Sequence, residues 1–159
     1  MPWHPPYPCK AQDGDLVSMT YCVAIKLNAG LVFLSDSRTN AGVDQISTYS
    51  KMHTFGLDGA RQFCLLTSGN LATAQGIVAQ IRHDIDHGMP LSLMTLSSMD
   101  EAADYIGQLS VMQQKKAGGG IDFEASVLFG GQFLGSAPDV FLIYRQCNRT
   151  ATSRTMACL

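Results

Sequence analysis

Charge is scarce in this 159-residue chain. Only 15% of its residues are Asp, Glu, Lys or Arg, and they leave a net charge of −2. That balance offers no basic face to DNA, RNA or an anionic lipid surface, so no nucleic-acid partner is expected. Long apolar runs are missing as well. None approaches the ~18–20 residues of a membrane span. The opening MPWHPPYPCKAQDGDLVS is proline-rich and lacks the apolar block of a secretory signal. The five cysteines (Cys9, Cys22, Cys64, Cys147 and Cys158) include no CxxC pair. Cys22 and Cys64 lie inside apolar runs and read as buried, reduced thiols. Together these absences point to a cytoplasmic protein without a membrane partner.

Apolar residues make up 46% of the chain, enough for one domain with a core. Residues 1–19 carry four prolines and little periodicity, and read as a flexible N-terminal extension. Structure is expected from Thr20. TYCVAIKL and LVFLSDSR, around Asn28-Ala29-Gly30, have the pattern of a hairpin, and SKMHTFGLDGARQFCLLTSG holds two further strands. The period then changes. Leu71, Ala74, Ile77, Val78, Ile81 and Ile85 follow helical spacing up to Gly88 and Pro90. A second helix follows, capped by Ser98 or Asp100, with Ala103, Ile106, Leu109 and Met112 facing inward. IDFEASVLFGGQ and PDVFLIYR form a last strand pair with little left to pack on. Four strands, two helices and two strands give an α+β layered sandwich, not a set of βαβ units. From Arg145 the composition shifts: residues 145–159 hold three of the six arginines and no acid, and read as an aberrant, truncated or frame-shifted tail.

Several residues suggest chemistry. A threonine hydroxyl is a poor nucleophile until a base takes its proton. If Met19 is removed, the α-amine of Thr20, with a reference pKa of ~7.7–8.0, is a far better base at neutral pH than a lysine at ~10.4. A neighbouring ammonium such as Lys51 lowers the amine pKa further, and a carboxylate such as Asp36 holds that lysine in place. Gly69, between a strand and a helix, lets a backbone N–H approach a substrate oxyanion at the positive end of the helix. Ser68 or Asn70 in the same turn also reads as a simple helix cap. His83 and His87, four apart on the first helix, read as a solvated helix end because a metal site wants further ligands. His53 reads as a packed histidine. AGGG at 117–120 lacks the Gly-Lys-Ser/Thr ending of a phosphate loop.

The segment MTYCVAIKLNAGLVFLSDSRTNAGVDQISTYSKMHTF (19–55), with LLTSGNLATAQ, SVLFGGQ and VFLIY, resembles the bacterial proteasome-type peptidases of the ancestral β-subunit (Anbu) branch, among the N-terminal nucleophile hydrolases. The resemblance covers roughly residues 19–144. It implies a four-layer αββα sandwich, with 20–144 as a partial proteasome-subunit-like domain. It implies Thr20 as nucleophile, Asp36 and Lys51 beside it, Gly69 at the oxyanion, Arg38 as a structural arginine and Asn40 as a contact to the substrate backbone. It further implies a peptide or protein substrate, assembly into a homo-oligomeric ring or open ring, and no cofactor or metal. Members begin at the Met-Thr dipeptide, so residues 1–19 are expected to be removed or to reflect a mis-assigned start. With them attached Thr20 has an amide, not an amine, and the chain is expected to be inactive. The alternative reading is a non-catalytic assembly subunit or a truncated fragment.

Overall fold

The computed structural model describes residues 21–40, 46–144, 148–151 and 156–158, with side chains for 21–37 and 49–144. Strands β1 (Cys22–Leu27) and β2 (Gly30–Ser35) form the expected hairpin, followed by a short ribbon of β3 (Arg38–Asn40) and β4 (Ile46–Thr48). Next come β5 (Met52–Leu57), β6 (Arg61–Gly69), α1 (Leu71–Asp86), α2 (Met99–Ala117), β7 (Ala125–Phe133) and β8 (Asp139–Tyr144). Two short strands, β9 (Asn148–Ala151) and β10 (Met156–Cys158), close the order.

The larger sheet runs β5-β6-β7-β8-β9 and is antiparallel throughout. The smaller runs β10-β1-β2. Strand β6 explains how they combine. Its Phe63 and Leu65 point to the helices, and its Cys64 and Leu66 point to β1. Alternate residues of a strand face opposite sides, and here both sides are buried. That is why the sequence of β6 runs apolar without polar alternation. In β7, Val127 and Phe129 join the helical side and Leu128 the other. Gly130 marks how closely the sheets approach: a Cβ there would lie 2.7 Å from the Phe33 ring.

The helices bury the stripes their spacing predicts. Ala74, Ile77, Val78 and Ile81 of α1 pack with Ala103, Ile106 and Leu109 of α2, while Ile85 and Met112 flank them. Asn70 caps α1 by accepting from Thr73 N at 3.1 Å. For α2 the cap is Ser98, not Asp100: its hydroxyl accepts from Glu101 N at 3.2 Å, and Glu101 returns a carboxylate oxygen to Ser97 N at 2.9 Å. Such reciprocal caps satisfy orphan amides that the helix cannot.

The layers are helices, five-stranded sheet, three-stranded sheet. Of the four αββα layers, three are formed by the described residues. The outward face of β1–β2 presents Val32 and Leu34, 46% and 66% exposed. Two expectations need correcting. The β7–β8 pair is not short of packing, because β7 pairs with β6 along its whole length and both strands lie under α2. The order of four strands, two helices and two strands is also incomplete. Residues within 145–159 add β9 to β8 and β10 to β1, joining the last chain segment to the first strand.

Candidate active site

Hairpin register makes the first connection. Cys22 pairs with Ser35 and Leu27 with Gly30, so the next pair outward is Tyr21 with Asp36. There Asp36 N donates to Tyr21 O at 3.0 Å, and Tyr21 N donates back to the Asp36 carboxylate at 3.1 Å. The same carboxylate takes the Lys51 ammonium symmetrically, with Nζ 2.9 Å from each oxygen. Lys51 is only 6% exposed. A buried ammonium is costly unless paired, and Asp36 supplies the pairing and two of the acceptors it needs.

Two further contacts tie this corner to the large sheet. Thr67 N of β6 donates to Lys51 O at 3.0 Å, and the Cys22 thiol lies 3.7 Å from Thr67 O as donor. Two residues on, β6 ends at Gly69, whose φ is +90°. A Cβ at that position would sit 2.6 Å from Glu124 O, so both backbone conformation and space require glycine. The start of α1 is fixed from the same side. Asn70 N donates to Glu124 O at 2.8 Å, Asn70 Nδ2 to Asp122 O at 3.0 Å, and the Thr73 hydroxyl to Phe123 O at 2.8 Å. The first turn of α1 holds no acid, so no carboxylate within it offsets the positive end of its dipole. Asn70 therefore does cap the helix, and Gly69 stands just before the cap.

The structure thus brings Asp36, Lys51 and the strand leading to Gly69 into one corner. Thr20 lies outside the described residues. It is bonded to Tyr21, whose amide touches Asp36. Arg38 and Asn40 are placed on β3 opposite Thr48 and Ile46, with their side chains outside the described set. Tyr21, Cys22 and Thr67 make the contacts that tie this corner together; Tyr21 and Thr67 were not singled out in the sequence, and Cys22 was read there only as a buried thiol. For Tyr21 the signal was there: a two-residue turn at Asn28-Ala29 makes partner numbers sum to 57, which sets 21 against 36.

Next to this corner, Tyr49 Oη lies 3.5 Å from His53 Nε2. Burial, aided by the Arg82 guanidinium, holds the His53 pKa below its ordinary value. Burial raises that of Tyr49, with Arg82 opposing. Buried Cys64 is pushed up to about 11, which keeps it a thiol and a poor nucleophile. Among the described residues no group of three or more His, Cys, Asp or Glu is placed to hold a metal, and no helix is long and apolar enough to cross a membrane.

No protein-family model matches the chain. No curated protein matches it in sequence. Solved structures do. Anbu (ancestral beta-subunit) from Yersinia bercovieri superposes with a TM-score of 0.84 at 39% identity, over 88% of this chain and 60% of that one. Anbu from Pseudomonas aeruginosa, described as a helical assembly of the Anbu complex, gives 0.82 at 37% identity, again over 88% and 60%. A Gly-1 mutant of Anbu from Hyphomicrobium sp. strain MC1 gives 0.81 at 35% identity over 89% and 60%. This chain therefore spans about 60% of the length of these structures. The chain is thus similar in fold and in sequence, over nearly nine tenths of its residues, to the Anbu proteins, and it has the proteasome-like N-terminal nucleophile hydrolase fold.

Proposed function

We propose that this chain is a threonine-type peptidase or amidohydrolase subunit whose nucleophile is Thr20 once its α-amine is free. The reading is carried by one observation. The Lys51–Asp36 pair is built into the fold and its carboxylate also holds the amide of Tyr21, the residue bonded to Thr20. In this scheme the Thr20 amine takes the hydroxyl proton while Oγ attacks the scissile carbonyl carbon. The charge developing on the carbonyl oxygen is met by the Gly69 N–H and the positive end of α1. Collapse breaks the C–N bond, the ammonium returns its proton to the leaving amine, and an acyl ester remains on Thr20. Water, activated by the same amine, hydrolyses the ester and regenerates the hydroxyl. The fixed positive charge of Lys51 disfavours protonation of the amine and so keeps the base ready at neutral pH. Asp36 keeps that charge in position.

Arg38 would support the corner and Asn40 would contact the substrate backbone, as the family resemblance implies. The substrate class is a peptide or protein in the cytoplasm, and the scheme calls on no cofactor. Self-assembly into a homo-oligomeric ring or open ring goes with the reading, supported by the helical assembly named for the Pseudomonas aeruginosa relative.

The test is peptide hydrolysis by protein whose N-terminus has been freed at Thr20. Turnover is expected, retained in part by Thr20→Ser and abolished by Thr20→Ala. Turnover undiminished in Thr20→Ala rejects the reading. An absence of turnover in every form, with the fold intact, supports the second reading, a non-catalytic assembly subunit.

A further inference from the structure

The backbone carbonyls of Asp122, Phe123 and Glu124 all face the first turn of α1. They accept from Asn70 Nδ2 at 3.0 Å, the Thr73 hydroxyl at 2.8 Å and Asn70 N at 2.8 Å. These carbonyls belong to a short helical turn (Ile121–Phe123) and the residue after it. That turn is anchored to α2. Gln114 Nε2 donates to Gly120 O at 2.7 Å, and a Cβ on Gly118 would lie 2.9 Å from the Phe123 ring. Asn70 uses both ends of its side chain at this junction. Its Oδ1 accepts from Thr73 N at 3.1 Å while its Nδ2 donates to Asp122 O. A backbone N–H only donates and a carbonyl only accepts, so these two partners fix the orientation of the amide. A helix cap needs the oxygen alone, and Ser or Asp supplies one as well as Asn does. Among these caps only Asn also carries amide hydrogens, and Ser stops an atom short of Asp122 O.

The strand ladder gives the direction of the neighbouring Gly69 N–H. Successive residues of a strand inside an antiparallel sheet bond to opposite neighbours. Thr67 N bonds toward β5, at Lys51 O, and Asn70 N bonds toward β7, at Glu124 O. Gly69 has the parity of Thr67, so its N–H is directed to the Lys51 side of β6 and stays outside the β7 ladder. We propose that Asn70 is a positioning residue for this donor, a role that rests on the peptidase reading. By tying the β6–α1 turn to the 121–124 segment, it holds the Gly69 N–H aimed at the substrate oxyanion. Gly69 cannot supply that rigidity itself, because a glycine backbone is free to adopt many conformations. An oxyanion donor, however, is effective only when it is aimed before the charge develops.

Asn70→Ser tests the role, because it keeps a capping oxygen and loses the tie to Asp122 O. In protein freed at Thr20, its kcat for peptide hydrolysis is expected to fall ~10–100-fold, with KM nearly unchanged. Ser98→Ala, which removes the cap of the other helix, is expected to leave both constants as in the parent. A kcat in Asn70→Ser equal to that of the parent overturns the proposal. A second readout needs no turnover. The backbone amide order parameter of Gly69, measured by NMR relaxation, is expected to drop from the rigid range near ~0.85 toward ~0.6 in Asn70→Ser. It should stay in the rigid range in Ser98→Ala. An order parameter unchanged in Asn70→Ser overturns the positioning role. A folded parent without turnover rejects the peptidase reading instead, and the order parameter then still decides whether Asn70 holds Gly69.

Discussion

Lys51 is buried in a place where an ammonium is costly without a partner. At 6% exposure it relies on both oxygens of Asp36. Lys51→Ala in Thr20-freed protein is expected to lower peptide turnover by ~10²-fold or more, the scale of a displaced acid–base group. Asp36→Asn should do the same while also lowering the melting temperature, since it removes the carboxylate charge that pairs with the buried lysine. Steady-state kinetics and thermal denaturation check the two together. His53 gives a pH prediction of definite sign. Burial and Arg82 lower its pKa on folding, so the folded state binds fewer protons than the unfolded state. Its contribution is fully present above the ordinary value of 6.5 and is lost as pH falls below it. Denaturant unfolding over that range should show stability falling with acid, and His53→Asn should flatten this slope relative to the parent. Asp84 also loses strength in acid. Burial alone would raise its pKa, but hydrogen bonds from Tyr105, Gln80 and His83 outweigh burial and hold it below its ordinary value. Its loss falls in the carboxylate range, below that of His53.

Helices and strands take their bounds from chemistry that was largely readable. The stripes of α1 and α2 follow the 3.6-residue period, and Gly88, at φ +59°, ends the first. The Ser98–Glu101 cap is a four-residue signature. Ser98→Ala should cost ~1 kcal/mol in thermal or denaturant unfolding, and Asp100→Ala much less, because Asp100 is not the cap. At the end of β6, Gly69→Ala meets both a φ of +90° and the Glu124 carbonyl. It should destabilise by ~1–3 kcal/mol and disturb the start of α1. Other features were not legible. Strands β3, β4, β9 and β10 are three or four residues long, too short for a period-two pattern to declare itself. The position of β10 beside β1 is a long-range pairing that no local signal encodes. Asp36 and Lys51 became a pair of interest through family resemblance, since their spacing alone matches many ordinary strands. The local information about the site lay in the hairpin register, which sets Tyr21 against Asp36, and in the turn at Gly69-Asn70 that ends β6 and caps α1.

Across the whole molecule, the large sheet is the frame on which both sides depend. Phe129, fully buried, packs against the helices and Phe63, with ring centroids 5.6 Å apart. Phe129→Ala should cost ~3–5 kcal/mol, enough to lower the unfolding midpoint sharply. By contrast the Lys26–Asp139 pair, at 2.7 Å and with both side chains partly exposed, joins the two sheets at the far end and should contribute under ~1 kcal/mol. The candidate site sits where the sheets meet at the other end. Tyr21 and Asp36 flank the small sheet there, Thr67 and Gly69 end a strand of the large one, and Lys51 O accepts from Thr67 N. The proposed activity therefore rests on one chemical event at that end, the exposure of the Thr20 amine beside the Lys51–Asp36 pair. The direct measurement is peptide hydrolysis set against the fraction of chains that begin at Thr20, read by mass spectrometry of the intact protein. Turnover should rise in proportion to that fraction and vanish in Thr20→Ala. Turnover by protein in which residues 1–19 remain attached, or turnover that persists in Thr20→Ala, would contradict it.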